Sequence, residues 1–126
     1  MSKGTILIVE DDIIIATLLQ NRLVKLGYTV VRITSTGEDA IAQTDTIRPD
    51  LVLMDIRLKG EMDGIAAAEI IRGQHDIPVI YLTSHSDDDT IERAKKTRPA
   101  GFIIKPFTDD NLKTTIEIAL YASRPV

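Results

Sequence analysis

The stretch LVLMDIRLKGEMDG, residues 51–64, decides how the chain is read. Four apolar residues, Leu51 to Met54, run without alternation into a single carboxylate, Asp55. A strand with one wet face alternates apolar and polar residues, whereas an unbroken apolar run of this length reads as a strand buried on both faces. Four other runs also read as strands, several of them buried on both faces: TILIV (5–9), YTVVRI (28–33), PVIYLT (78–83) and GFIIK (101–105). Helical patterns fill the gaps. The first places Ile15, Leu18, Leu19, Leu23 and Leu26 at i, i+3, i+4 spacing, with Gly27 where a C-terminal cap belongs. The second carries Ala40, Thr44 and Ile47 and ends before Pro49. The third carries Ile65, Ala68 and Ile71, with Gly73 as its stop. The fourth opens at SDDDT (86–90), with Ser86 or Asp87 as N-cap, and carries Ile91 and Ala94. The fifth opens at TDDN (108–111) and carries Leu112, Ile116, Ala119 and Leu120.

Strictly alternating strands and helices with short links imply parallel strands and right-handed crossovers. The expected fold class is therefore α/β, a doubly wound five-stranded parallel sheet with helices on both faces. At 126 residues and 13.9 kDa the chain is the size of one domain with a proper core, and residues 1–126 are read as a single domain with its core at about 4–122. A net charge of −4 argues against direct nucleic-acid binding. The absence of cysteine removes disulfides and thiolate metal sites. No apolar run approaches the roughly 18 residues of a membrane span, and the N-terminal run is too short for a signal peptide. A cytoplasmic location is expected.

In open sheets of this class, ligands bind beyond the carboxyl ends of the strands. Those ends carry Glu10, Asp11 and Asp12 after the first run, Thr34 and Ser35 after the second, and Asp55 after the third. Thr83 and Ser84 follow the fourth, Lys105 and Pro106 the fifth. If the first, third, fourth and fifth strands are neighbours, one edge of the sheet gathers carboxylates, a hydroxyl and an ammonium. Crowded carboxylates force proton uptake unless a cation shares the site. An all-oxygen set without His or Cys suits Mg2+, with Mn2+ as a substitute, better than zinc. A carboxylate can also act as a nucleophile and become an aspartyl-phosphate. Phosphoryl transfer then needs mainly positioning and charge neutralisation.

The set ILIVEDD, LVLMDIRLKGEMDG, PVIYLTS and GFIIKPF resembles the receiver domain of two-component response regulators, closest to a DIxLKGxxDGI-type subgroup, over essentially the whole chain. The resemblance implies a flavodoxin-like (βα)5 sheet of strand order 2-1-3-4-5. It implies Asp55 as phosphoacceptor. Mg2+ would be held by Glu10 (largely through water), Asp11, Asp55 and the backbone carbonyl of Arg57. It further implies Thr83 as switch hydroxyl, Lys105 as the phosphoryl's cationic partner, Phe102 as switch aromatic, and a cis Lys105–Pro106 bond. A histidine kinase or phosphotransfer protein is the implied donor, and a downstream protein or fused output domain the implied reader. Phosphorylation and dephosphorylation would be self-catalysed, so the domain is expected not to be an enzyme in the ordinary sense.

The chain departs from the commonest receivers in three places. The loop between Asp55 and Asp63–Gly64 is one residue longer, TRPAGFI replaces the usual small-residue turn, and Phe102 lacks the commoner tyrosine's hydroxyl. Arg57 and His85 flank the acceptor and are candidates for tuning the phosphoryl lifetime. Asp12 reads as an acid at a helix N-terminus, favoured by the helix dipole, rather than a ligand, and His75 as a solvated loop residue. The alternatives are an unphosphorylated pseudo-receiver acting as an interaction module and a haloacid-dehalogenase-type phosphatase. The latter needs a second acid two residues past the nucleophile, where Arg57 stands. A flavodoxin-like cofactor binder lacks its Ser/Thr-rich phosphate loop after the first strand.

Overall fold

The computed structural model describes residues 2–84 and 88–123. Its elements are β1 (Thr5–Val9), α1 (Ile13–Lys25), β2 (Thr29–Thr34), α2 (Gly37–Ile47), β3 (Leu51–Asp55), α3 (Gly64–Gln74), β4 (Val79–Thr83), α4 (Asp88–Lys95), β5 (Gly101–Ile104) and α5 (Asp109–Ala122). All strand pairs are parallel, and the order is β2-β1-β3-β4-β5. The expected doubly wound sheet is therefore met in class, strand number and order.

Strand alternation sorts the core into two layers. Ile6, Ile8, Leu51, Leu53, Ile80, Leu82 and Ile103 pack with Ala16, Leu19 and Leu23 of α1 and Leu112, Ile116 and Ala119 of α5. Leu7, Val9, Val52, Met54, Val79 and Tyr81 face the other way, against Ala40 of α2, Ile65, Ala67, Ala68 and Ile71 of α3, and Ala94 of α4. Every residue of β3 and of β4 is buried, as expected of strands covered on both faces.

The helix ends follow local chemistry. Asp12 stands at the start of α1, as expected of a helix N-terminal acid, and its side chain caps the helix, accepting from Ile14 N and Ile15 N at 2.9 and 3.3 Å. Gly27, at φ +103°, ends α1 in a Schellman turn: Tyr28 N donates to Leu23 O and Gly27 N to Val24 O, both at 3.0 Å. Thr36, Asp63 and Thr108 cap α2, α3 and α5.

Several expectations need correction. The buried stripe of α1 is Ala16, Leu19 and Leu23, while Leu18 is exposed, as are Ile13 and Ile14. The run Ile13–Ile15 carries more apolar surface than one helical face can bury, so the small Ala16 meets the sheet and its neighbours turn outward. Gly73 does not stop α3, which runs on to Gln74 and is capped at His75. Nothing surrounds Gly73, and its φ is not in the left-handed region, so no turn depends on it. His75 is not solvated: its side chain is 8% exposed and Nε2 lies 3.2 Å from Asp45 Oδ1, because α2 packs beside α3. His85 and the two N-cap candidates, Ser86 and Asp87, lie outside the described residues.

The long loop after β3 folds back onto the start of α2. Lys59 forms a parallel bridge with Thr36, Gly60 turns at φ +92°, and Met62 lies against Gly37. Leu58 and Met62 are partly buried against the second core layer. The loop is thus anchored to α2. No helix among the described residues is long and apolar enough to cross a membrane.

At Gly64 the first turn of α3 sits directly on the end of β3. Its N–H donates to Ile56 O at 2.8 Å, and a Cβ there would overlap the carbonyl oxygen of Asp55. Backbone cannot yield as a flexible side chain can, so Gly64→Ala is expected to cost about 1–3 kcal/mol or more through overpacking. Urea unfolding measures this, and a variant as stable as the parent would contradict the close approach.

Candidate functional site

The alternation that sorts the core also aims the strand ends. Continuing β1 past Ile8 brings Glu10 to the α1/α5 side of the sheet, continuing β3 past Leu53 brings Asp55 there, and continuing β5 past Ile103 brings Lys105 there. The three side chains meet. Lys105 Nζ donates to Glu10 Oε1 at 2.9 Å and to Asp55 Oδ2 at 3.0 Å. Glu10 and Asp55 are buried. The remaining oxygens are held by backbone: Arg57 N donates to Asp55 Oδ1 at 3.2 Å and Asp12 N to Glu10 Oε2 at 3.1 Å. The Lys105–Pro106 bond is cis.

Asp11, half-buried, completes the acidic group. One oxygen from each of Glu10, Asp11 and Asp55 lies within 4.8 Å of the others. At that separation two carboxylates repel by roughly 3–4 kcal/mol at an effective dielectric near 20. Burial is the largest influence on Glu10, pushing its carboxyl up; Asp55 pushes it further, and the Lys105 ammonium opposes both. For Lys105 burial acts downward, but its bonds to Glu10 and Asp55 outweigh it and raise the ammonium above its usual value. With all four groups ionised, three carboxylates and one ammonium carry a formal charge of −2, which a divalent cation matches. The donors are hard oxygens with neither His nor Cys among them, which fits Mg2+.

The group lies on a cleft of about 300 Å3, also lined by Asp12, Ile15, Ile56, Arg57, Thr83, Ser84 and Thr90. Thr83 closes one wall, but its hydroxyl donates to Ser84 O at 3.1 Å. Alternation puts Thr83 on the α3/α4 side together with Tyr81, and Phe102, opposite Tyr81 in the β4–β5 register, stacks on that ring at 5.6 Å. Phe102 is only partly buried. The strand-end residues Glu10, Asp11, Asp55, Arg57, Thr83 and Lys105 thus converge, while Phe102 stands one layer away.

Sequence reading alone did not find Gly64, whose missing side chain lets α3 reach the Asp55 backbone. Its signal was present in the turn Asp63–Gly64 before a helical run. It also missed Tyr81 and Thr97, whose hydroxyls lie 2.7 Å apart. No sequence signal joins two residues sixteen positions apart in different elements.

Comparisons with known proteins agree with this geometry. The family described as the response regulator receiver domain matches residues 6–117. Transcriptional regulatory protein PdtaR of Mycobacterium tuberculosis is 33% identical over 121 residues, 96% of this chain and 58% of PdtaR. Transcriptional regulatory protein ZraR of Escherichia coli K12 is 41% identical over 116 residues, 91% of this chain and 26% of ZraR. The chain therefore spans little more than half of the first relative and about a quarter of the second. Among solved structures, the signal receiver domain of a modulated diguanylate cyclase from Desulfovibrio desulfuricans superposes with a TM-score of 0.91 at 37% identity, covering 95% of both chains. A putative response regulator from Chloroflexus aurantiacus gives 0.86 at 30% identity, covering 94% of this chain and 98% of that one. With the family matched across residues 6–117 and its fold reproduced strand for strand, the chain belongs to the response regulator receiver domains of two-component signalling.

Proposed function

We propose that this domain accepts a phosphoryl group on Asp55 from a phosphohistidine of a histidine kinase or phosphotransfer protein, in the cytoplasm, and passes the change to a protein partner or output domain. One observation carries the reading: Lys105 Nζ bonds both Asp55 and Glu10 inside a buried carboxylate cluster at the sheet's carboxyl edge.

In this reading an Asp55 carboxylate oxygen attacks phosphorus. A P–O bond forms as the donor's P–N bond breaks, and the departing imidazole takes a proton from solvent. Glu10, Asp11, Asp55 and the Arg57 carbonyl would hold Mg2+ or Mn2+, which when bound supplies charge neutralisation at the phosphoryl oxygens. Lys105 already lies beside Asp55 Oδ2 and neutralises charge without moving far. Thr83 must change partner. A hydroxyl has one proton, now given to Ser84 O, so donating to a phosphoryl oxygen means releasing Ser84. That exchange defines two states of Thr83, with Phe102 following on the same face, and the phosphoryl group biases one of them. Arg57, exposed at the cleft's rim, is placed to affect how water reaches the acyl phosphate. The chemistry on the protein is confined to its own phosphorylation and hydrolysis, so the domain is a switch rather than an enzyme acting on other substrates. A phosphatase of the haloacid-dehalogenase type finds no support, since Arg57 occupies the position of its general acid.

Incubation with a small acyl phosphate and Mg2+ tests the assignment. About one phosphoryl group per chain is expected by intact mass, none without divalent ion and none in Asp55→Asn. Full labelling of Asp55→Asn would overturn it.

A second expectation concerns charge. Because Glu10 is raised in the folded state, its contribution to stability is fully present below its ordinary value near 4.5 and fades as pH rises through the folded value. At pH 7 the ionised side chain is therefore a liability in chelator. Glu10→Gln should melt higher than the parent in chelator, and millimolar Mg2+ should narrow the gap by stabilising the parent more. A Glu10→Gln variant that melts lower in chelator would contradict the charge-crowding argument.

A further inference from the structure

Helix α4 is held to the sheet by unusually little. It is eight residues long, its sequence DDTIERAK is mostly charged, and Ala94 is its only buried side chain. Yet α4 follows Thr83 in the chain and overlies the face on which Thr83, Tyr81 and Phe102 stand. Apolar burial by one alanine cannot by itself fix the position of such a helix.

Beside the exposed Arg93–Asp63 ion pair at 3.1 Å, which ties α4 to the start of α3, a buried hydroxyl pair attaches it to the sheet. Tyr81 is fully buried in the middle of the sheet, and its phenol oxygen lies 2.7 Å from Thr97 Oγ1, just past the end of α4. Thr97 Oγ1 in turn donates to Ala94 O at 2.7 Å. Since the threonine's one proton is committed to Ala94 O, Tyr81 is the donor to Thr97. The chain Tyr81 Oη–H to Thr97 Oγ1–H to Ala94 O joins the interior strand β4 to the last turn of α4, and it satisfies a phenol that would otherwise be buried without a partner. The backbone N–H of Thr97 also donates to Ala94 O at 3.1 Å, so the same carbonyl closes the helix and receives the tether. On its other side the Tyr81 ring meets Phe102.

We propose that the Tyr81–Thr97 hydroxyl pair is a tether that pins the C-terminal turn of α4 to β4, two residues from Thr83, and so determines how far α4 moves when Thr83 changes partner. The first half concerns the resting fold alone. The second half rests on the phosphoacceptor reading above.

Hydrogen–deuterium exchange on Tyr81→Phe tests the first half, because the ring stays and only the hydroxyl goes. Loss of one buried hydrogen bond should speed exchange across residues 88–97 by about three- to tenfold, with α1 and α5 unchanged. Exchange in that segment equal to the parent's, or quickened equally everywhere, would overturn the tether. Partner removal gives an independent signature. Thr97→Val strands a buried phenol, so adding Tyr81→Phe to it should restore stability, although Tyr81→Phe alone lowers it; additive losses in the double variant would contradict the pairing. Thr97→Ser, which keeps the hydroxyl, should exchange like the parent. For the second half, exchange is compared with and without a small acyl phosphate and Mg2+. A larger phosphate-dependent change over 88–97 in Tyr81→Phe than in the parent is expected, and an identical change would overturn the coupling. Labelling of Asp55 is followed by mass in the same samples. Failure to label would therefore count against the phosphoacceptor reading while leaving the apo result to judge the tether.

Discussion

One ammonium group shared by two buried carboxylates is the interaction on which the site depends. Without Lys105, Glu10 and Asp55 would face each other in a place that water scarcely reaches. Breaking such an arrangement by removing one partner is far costlier than never building it, because the remaining charges stay buried and uncompensated. The lysine therefore makes the crowding tolerable in the resting state. It still leaves the cluster two charges short of neutrality, and that deficit makes the cleft receptive to a divalent cation.

The scaffold holds these groups rigidly by burying what lies behind them. β1 and β3 are covered on both faces, and Asp55 and Glu10 sit one step beyond their last apolar residues. α3 closes against the Asp55 backbone through Gly64, while Asp12 caps α1 beside the same cleft. The α4 side is built differently. There one buried alanine, a pair of hydroxyls and the exposed Arg93–Asp63 ion pair stand in for a packed interface, and a region with few buried contacts is where conformational change is least opposed. A rigidly held carboxylate cluster and a lightly held helix thus occupy the two faces of one sheet, with Thr83 at the join.

Much of this was legible in the sequence, for physical reasons. Doubly buried parallel strands such as β1, β3 and β4 are unbroken apolar runs, and the edge strands β2 and β5 were still apolar enough to be seen, while the rule that ligands gather at strand carboxyl ends pointed to Glu10, Asp11, Asp55, Thr83 and Lys105. Gly27 announced itself through cap chemistry, and Asp12 as an acid at a helix start, both local in sequence. What failed was whatever depends on tertiary packing. The rotation of α1 that buries Ala16 and exposes Leu18 follows from how that helix meets the sheet, not from its own periodicity. His75 looked solvated because Asp45, thirty residues earlier, gives no sign of lying beside it. The folding of the Lys59–Met62 stretch onto α2 and the bond from Tyr81 to Thr97 are likewise products of the assembled fold.

The central claim is chemical and positional: of the two carboxylates bonded by Lys105 Nζ, we propose that Asp55 is the one that becomes an acyl phosphate. Borohydride reduction converts an aspartyl-phosphate to homoserine, which marks the acceptor permanently. Peptide mass spectrometry after treatment with phosphodonor and Mg2+ should place homoserine at position 55 and nowhere else. Homoserine at position 11, 12 or 63 with position 55 intact would contradict the central claim.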